Sequence, residues 1–264
     1  NRLSFNSAIS HLRKINLPLD ASAKVIGPRL LHSSQWGIID PVDTPDGGNV
    51  GLHKHLAIMA FITNGISGAP LFKWLQTNSN IILLSDTTPL QISNLCKVFI
   101  NGNWVGVISK PKETVEIFKT HRRLAIIPIY TSINWDIKNN TMYINSDAGR
   151  LCRPIFHITD KKAGYDKDFI IEKIKKNDFT WNDLISGFSP KNDKFKLESQ
   201  KIYMKVADLY NTTNLEDLVN NNAIIEYIDT SETEGLLISS QHDYDTNKNY
   251  THIEIHPSCI LGVM

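Results

Sequence analysis

The sequence predicts an α+β protein, with one mixed N-terminal unit followed by two small α/β units. Three observations lead there. Apolar residues recur at helical spacing over residues 4–14. Two apolar runs, Val98-Phe-Ile and Trp104-Val-Gly-Val, flank Asn101-Gly102-Asn103 as the arms of a hairpin, and Pro111 follows where a helix can begin. His252-Ile-Glu-Ile-His256 alternates as a half-buried strand does. With 41% hydrophobic and 21% charged residues in 264, the chain has the composition of a folded protein and room for two or three such units.

Phe5, Ala8, Ile9 and Leu12 form the first helical stripe, with Ser4 as its N-cap and His11, Arg13 and Lys14 beside it. Leu17 to Pro28 reads as a loop bounded by Pro18 and Gly27-Pro28. Gln35 to Gly51 then packs two prolines, four glycines and three carboxylates into a span that cannot be regular helix or strand. Asp46-Gly-Gly is a tight-turn signal, and the whole reads as a rigid loop holding acidic groups in place. Leu52, Leu56, Met59 and Ala60 suggest a buried helix, and Gly65 to Pro70 a boundary.

In the second unit the hairpin precedes a helix from Pro111 that carries Val115, Ile117, Phe118 and Leu124. Met142-Tyr-Ile and Leu151 to Ile158 read as strands around the turn Ser146-Asp-Ala-Gly149. Beyond Thr159 the chain turns polar, with exposed loops expected at 160–167, 189–196 and 244–249. A short helix is expected near Asn214–Asn221, and strands near Ile224–Ile228 and Leu236–Ser240.

No apolar run approaches the length of a membrane span, and no membrane partner is expected. The absence of a start methionine and the apolar ending Ile260-Leu-Gly-Val-Met make both ends read as cuts through a longer protein. Cys96, Cys152 and Cys259 are isolated, which argues against a zinc site or a disulfide framework and for a reducing compartment. No Walker loop, dinucleotide fingerprint or nucleophile elbow occurs. His53 and His55 would point to different sides of a helix, and His252 and His256 lie too far apart on a strand to chelate together.

Two constellations carry candidate chemistry. Arg13, Lys14, Lys24 and Arg29, with His11 and His32 nearby, could meet phosphates; on composition alone, a solvated helix face with loop charges is the commoner explanation. Asp40, Asp43 and Asp46 could bind a divalent cation, orient basic groups, or simply accept backbone amides in turns. The residues alone do not identify a reaction.

Ser10-His-Leu-Arg-Lys, Pro28-Arg-Leu-Leu-His32, Trp36-Gly37 and Asp43-Thr-Pro-Asp-Gly47 resemble segments of the second-largest subunit of multisubunit DNA-dependent RNA polymerases. Phe99-Ile-Asn-Gly-Asn-Trp-Val-Gly106, Asp147-Ala-Gly-Arg-Leu-Cys-Arg-Pro154, Glu226-Tyr-Ile-Asp229 and Glu254-Ile-His-Pro-Ser-Cys-Ile-Leu-Gly262 follow in the family's order. The eukaryotic-like form, including versions carried by large cytoplasmic DNA viruses, fits best. The resemblance implies a fork domain at 1–65, external domains at 70–158 and 159–250, and the start of a hybrid-binding domain at 251–264. It makes Arg13, Lys14, Lys24 and Arg29 candidates for nucleic-acid backbone contacts, and His32, Asp43, Asp46 and Asn49 candidates for support of the active centre. Asp43 and Asp46 become orienting groups for these cations.

It implies no catalytic residue and no metal ligand in this fragment, which alone should not polymerise. The full enzyme's Mg²⁺ would be bound outside it. The partners implied are the largest and other polymerase subunits, template DNA, the RNA–DNA hybrid and nucleoside triphosphates. The implied location is intracellular: the nucleus for a cellular enzyme, the virion or host cytoplasm for a viral one. A non-catalytic structural module derived from the family is the alternative. Aspartates stand where the family usually has glutamates at Asp43 and Asp46, and Lys14 replaces a usual arginine, losing a bidentate fork.

Overall fold

A computed structural model gives the fold, and it describes residues 3–22, 24–159, 161–166, 168–177, 180–187, 223–240, 242 and 248–263. The helix expected near 214–221, the polar loop expected at 189–196 and most of that at 244–249 lie outside the described residues. The structure is mixed α+β, as the sequence predicts.

The N-terminal unit opens with α1 (Phe5–Leu12), capped by the Ser4 side chain, which accepts the Ser7 amide at 3.1 Å. β1 (Lys14–Asn16) follows and pairs antiparallel with β2 (His53–His55) in the register Lys14↔His55 and Asn16↔His53. The helix expected through Leu52–Ala60 is therefore corrected to a strand and turn. Its backbone amides bond to remote carbonyls: Leu56 donates to Arg13 (3.1 Å) and Ala57 to Ile38 (2.9 Å). That leaves no i→i−4 ladder. Leu56, Ala57 and Ala60 are nonetheless buried, packed with Ile15 and Leu151.

The second unit is a five-stranded sheet in the order β4 (Ile81–Leu83), β6 (Asn103–Ile108), β5 (Cys96–Ile100), β8 (Thr141–Asn145), β7 (Ser132–Asp136). Asn101 and Gly102 both take positive φ (48° and 81°) in the two-residue β5–β6 turn, which suits the right-handed strand twist. One face of the sheet packs on α2 (Ala69–Asn78) and α4 (Pro111–Arg123), through Leu71, Trp74, Leu75, Phe118, Met142 and Ile144. A short α3 (Pro89–Asn94) leads into β5.

The third sheet is built around β9 (Leu151–Thr159). β11 (Ile225–Asp229) pairs along one edge, with Glu226 opposite Ile155. β3 (Phe61–Ile62) and β13 (His252–Ile253) pair with its two ends. β10 (Lys162–Ala163) folds back on it, and β12 (Ile238–Ser239) runs parallel to β13. α5 (Asp168–Lys175), α6 (Trp181–Ser186) and α7 (Thr230–Thr233) complete this part. β9 thus binds strands from either side of both the 65/70 and the 158/159 boundaries read from the sequence. The strand expected over 252–256 is corrected to His252–Ile253; further on, the His256 ring accepts the Ser258 amide (3.1 Å) and caps a 3-10 turn.

Buried charge joins the second and third sheets. The Arg122 guanidinium, 2% exposed, bonds Glu226 through Nη2 (2.7 Å) and Glu232 through both Nη1 and Nη2 (2.8 Å each). Arg123 also pairs with Glu226, and the His252 ring lies 3.7 Å from the same carboxylate. Burial works against the Glu226 charge, but Arg123 and Arg122 outweigh it and hold the carboxyl well below the usual carboxylate range. Arg153 and Glu254 form a second buried pair (2.5 Å).

His157 sits beside this cluster. Burial, reinforced by Arg123, lowers its pKa to about 3, so it is neutral in the fold; its Nε2 lies 2.7 Å from the Ala223 carbonyl. In an unfolded chain the ring protonates below about pH 6.5. Acidification from there towards the folded value therefore favours unfolding, by about 1.4 kcal/mol per pH unit from this group. We expect the opening free energies of β9 and β11, read from amide exchange corrected for its intrinsic pH dependence, to fall on that slope, and His157→Gln to flatten it.

Candidate nucleic-acid interface

The seven basic and acidic side chains of the two constellations named from sequence, Arg13, Lys14, Lys24, Arg29, Asp40, Asp43 and Asp46, all lie in the N-terminal unit, but they do not form one cluster. Arg13 turns inward: one guanidinium nitrogen donates to the Ala57 carbonyl (2.5 Å) and the Ala60 carbonyl (3.2 Å). It fastens the turn after β2 to the end of α1. Arg29 likewise donates to backbone. Its Nε bonds Val25 (3.2 Å), Nη1 bonds Gly48 (2.7 Å) and Val50 (2.8 Å), and Nη2 bonds Ala21 (3.2 Å). Both arginines shape loops by filling carbonyl acceptors with a planar fork.

Lys14 is half-buried on β1, across from His55, and lines an open cleft of ≈ 430 Å³. Ser4, Ser7, Ser10, His11, Asp43 and His55 are its other walls. The three serines stand at i, i+3 and i+6, a spacing that puts them along one side of α1. Lys24 is exposed on the 17–26 loop.

Asp43 pairs with the His55 ring (Nδ1 to Oδ2, 3.0 Å) rather than with one of the four basic side chains singled out from sequence. The contact is made by Nδ1 of the ring, the nitrogen nearer the backbone, so the pair ties β2 to the proline-glycine loop. His53 and His55 are two apart on a strand, not on a helix, and their partners differ: Asn16 for His53 (2.7 Å) and Asp43 for His55. Asp46 is exposed at the start of the 3-10 turn Gly47–Asn49, with no side-chain cap bond, and Asn49 is exposed in that turn. His32 caps the preceding 3-10 turn, Ser33–Gln35, its Nδ1 accepting the Ser34 amide at 3.2 Å.

Asp40, grouped with Asp43 and Asp46 from sequence, is buried and structural. Its two oxygens accept the Val42 amide (2.9 Å) and the Gly262 amide (2.7 Å), tying the proline-glycine loop to the far end of the described chain. The Ile58 amide adds a bond to the Leu261 carbonyl (2.7 Å). Asp40 and Asp43 are committed to protein donors, and among the described residues no three His, Cys, Asp or Glu side chains are grouped to hold a metal ion.

Sequence reading missed the serine wall of the cleft. Its signal was present as Ser4, Ser7 and Ser10 on the polar side of an amphipathic helix. It also missed the buried clamp, although a glutamate inside Ile224-Ile-Glu-Tyr-Ile228 signals a buried partner.

The chain is similar to known proteins over its whole length. The family models described as RNA polymerase Rpb2, domain 3 and domain 4, match residues 1–62 and 98–159. The DNA-directed RNA polymerase II subunit RPB2 of Encephalitozoon cuniculi is 34% identical over the whole of this chain, which covers 21% of that protein. DNA-directed RNA polymerase II subunit 2 of Arabidopsis thaliana is 31% identical, with all of this chain and 20% of the relative aligned. The RNA polymerase III subunit RPC2 of Drosophila melanogaster is 29% identical over the same shares. The chain belongs to the family of second-largest subunits of DNA-directed RNA polymerases, and spans about a fifth of the length of these relatives.

Proposed function

We propose that this chain supports template-directed RNA synthesis within an assembled polymerase, and that its N-terminal unit positions nucleic-acid backbone beside the active centre. The cleft of Ser4, Ser7, Ser10, His11 and Lys14, walled also by the paired Asp43 and His55, carries this reading. It offers neutral hydroxyl donors and an ammonium group with no base-reading geometry, which suits phosphodiester oxygens of any sequence. Lys24, exposed on the neighbouring loop, adds a second mobile cation. Arg13 and Arg29 act in this scheme by holding the loops, and His32, Asp43, Asp46 and Asn49 shape the side of the unit that faces the active centre.

The domain reading that accompanies this is a fork domain at 1–65, external domains at 70–158 and 159–250, and the start of a hybrid-binding domain at 251–264. The partners proposed are the other polymerase subunits, template DNA, the RNA–DNA hybrid and nucleoside triphosphates. Mg²⁺ held elsewhere in the assembly would supply the transfer chemistry, and the fragment by itself would be inactive. The enzyme would work inside the cell, in the nucleus for a cellular form or in virion or host cytoplasm for a viral one. For residues 69–145 a scaffolding role is favoured, because the charges at the end of α4 are committed to the buried clamp.

The test uses the full-length subunit in assembled polymerase bound to a DNA–RNA scaffold. Lys14→Ala and Lys24→Ala should each weaken binding at low salt and each lower the slope of log affinity against log salt by about 1. Wild-type slopes in both variants would remove the interface.

A further inference from the structure

We propose that Arg29 is a positioning residue that holds the 17–26 loop and the 44–51 loop in one fixed relation, acting through backbone carbonyls and not through phosphate. The proposal rests on reading this unit as a nucleic-acid interface, because the two loops carry Lys24 on one side and Asp46 and Asn49 on the other.

The geometry is specific to arginine at this position. The side chain sends three nitrogens in divergent directions: Nε and Nη2 to Val25 and Ala21 on the first loop, Nη1 to Gly48 and Val50 on the second. A lysine ammonium radiates its donors from one atom and cannot span both loops. Arg29 is itself rooted in the 3-10 turn Gly27–Arg29, where Pro28 fixes φ and the Arg29 amide donates to Ile26 at 3.0 Å.

The second loop is seated against the same residue at backbone level. Gly51 takes φ +72°, and a Cβ there would stand 2.5 Å from the Arg29 Cα and 2.6 Å from its carbonyl oxygen. Thr44 then holds Gly51 in place: its hydroxyl accepts the Gly51 amide (2.8 Å) and donates to the His53 carbonyl (3.1 Å). A displacement of the acidic loop therefore moves the cationic loop with it.

The experiment compares Arg29→Lys, Arg29→Ala and Gly51→Ala in the full-length subunit within assembled polymerase. Amide exchange is read first, with no nucleic acid present. All three variants should accelerate exchange of the Leu30, Val50, Gly51 and Leu52 amides, on the order of tenfold. Binding to a DNA–RNA scaffold is read second. Arg29→Lys and Arg29→Ala should lose affinity equally while keeping the wild-type salt slope. If Arg29→Lys keeps wild-type exchange and affinity while Arg29→Ala lowers the salt slope by about 1, Arg29 is a phosphate contact and the proposal is overturned. Failure of the interface reading looks different: the exchange result stands, while Lys14→Ala and Lys24→Ala keep wild-type slopes.

Discussion

Arg122→Ala is expected to destabilise the junction of the second and third sheets by about 3–5 kcal/mol, because it strands two buried carboxylates. Glu226 is 3% exposed and Glu232 2% exposed, and both reach Arg122 at hydrogen-bond distance. Lys119 lies 3.7 Å from Glu232 and Arg123 pairs with Glu226, so some compensation survives. Neither replaces the fork that spans the two acids. The cost should fall on unfolding of β11 and α7, read by amide exchange of Ile228 and Glu232, whose amides lie in or beside that strand. Arg122→Met paired with Glu226→Gln should cost less than Arg122→Ala alone, since it removes charge on both sides. A loss under 1 kcal/mol for Arg122→Ala would show that water reaches these acids and that the clamp is not closed.

Gly106→Ala is expected to break the β4–β6 edge of the five-stranded sheet. A Cβ on Gly106 would stand 2.2 Å from the Ile82 carbonyl oxygen and 3.1 Å from its carbon. Both atoms are backbone, so no side chain can swing aside. The strand must shift, at a cost of about 1–3 kcal/mol, the range for overpacked interiors. Ile81 pairs with Ile108 and Leu83 with Gly106 in this register, so the shift should free the whole of β4. Faster exchange of the β4 amides, with α4 and β8 unchanged, is the expected signature. Uniform destabilisation of the sheet would contradict it.

Much of the fold was legible because its signals are local. Ser4 caps α1 with its own side chain, Asn101-Gly102 sets the hairpin turn through positive φ, and Pro111 starts α4. Residues 52–60 were misread because their apolar spacing suits a helix, while their hydrogen bonds are made to Arg13, Ile38 and β1. Those partners are more than fifteen residues away, and no local propensity encodes them.

The site shows the same division. Composition located the basic and acidic residues in the right unit. It could not say that Arg13 and Arg29 spend their donors on carbonyls, or that Asp43 meets His55, because each contact depends on loop closure across more than ten residues. Glycine spacing gave a partial hint. Gly51 stands where the backbone must approach Arg29, which only the folded loop reveals.

The placement of nucleic acid at the serine-lined cleft is tested most directly by photo-crosslinking. A photoreactive residue at position 10, on the cleft wall, would be built into the full-length subunit and the assembled polymerase stalled on labelled DNA and RNA. The account requires a crosslink to nucleic acid that weakens when Lys14 is also replaced by alanine. Crosslinks to protein alone, with the stalled complex intact, would contradict it.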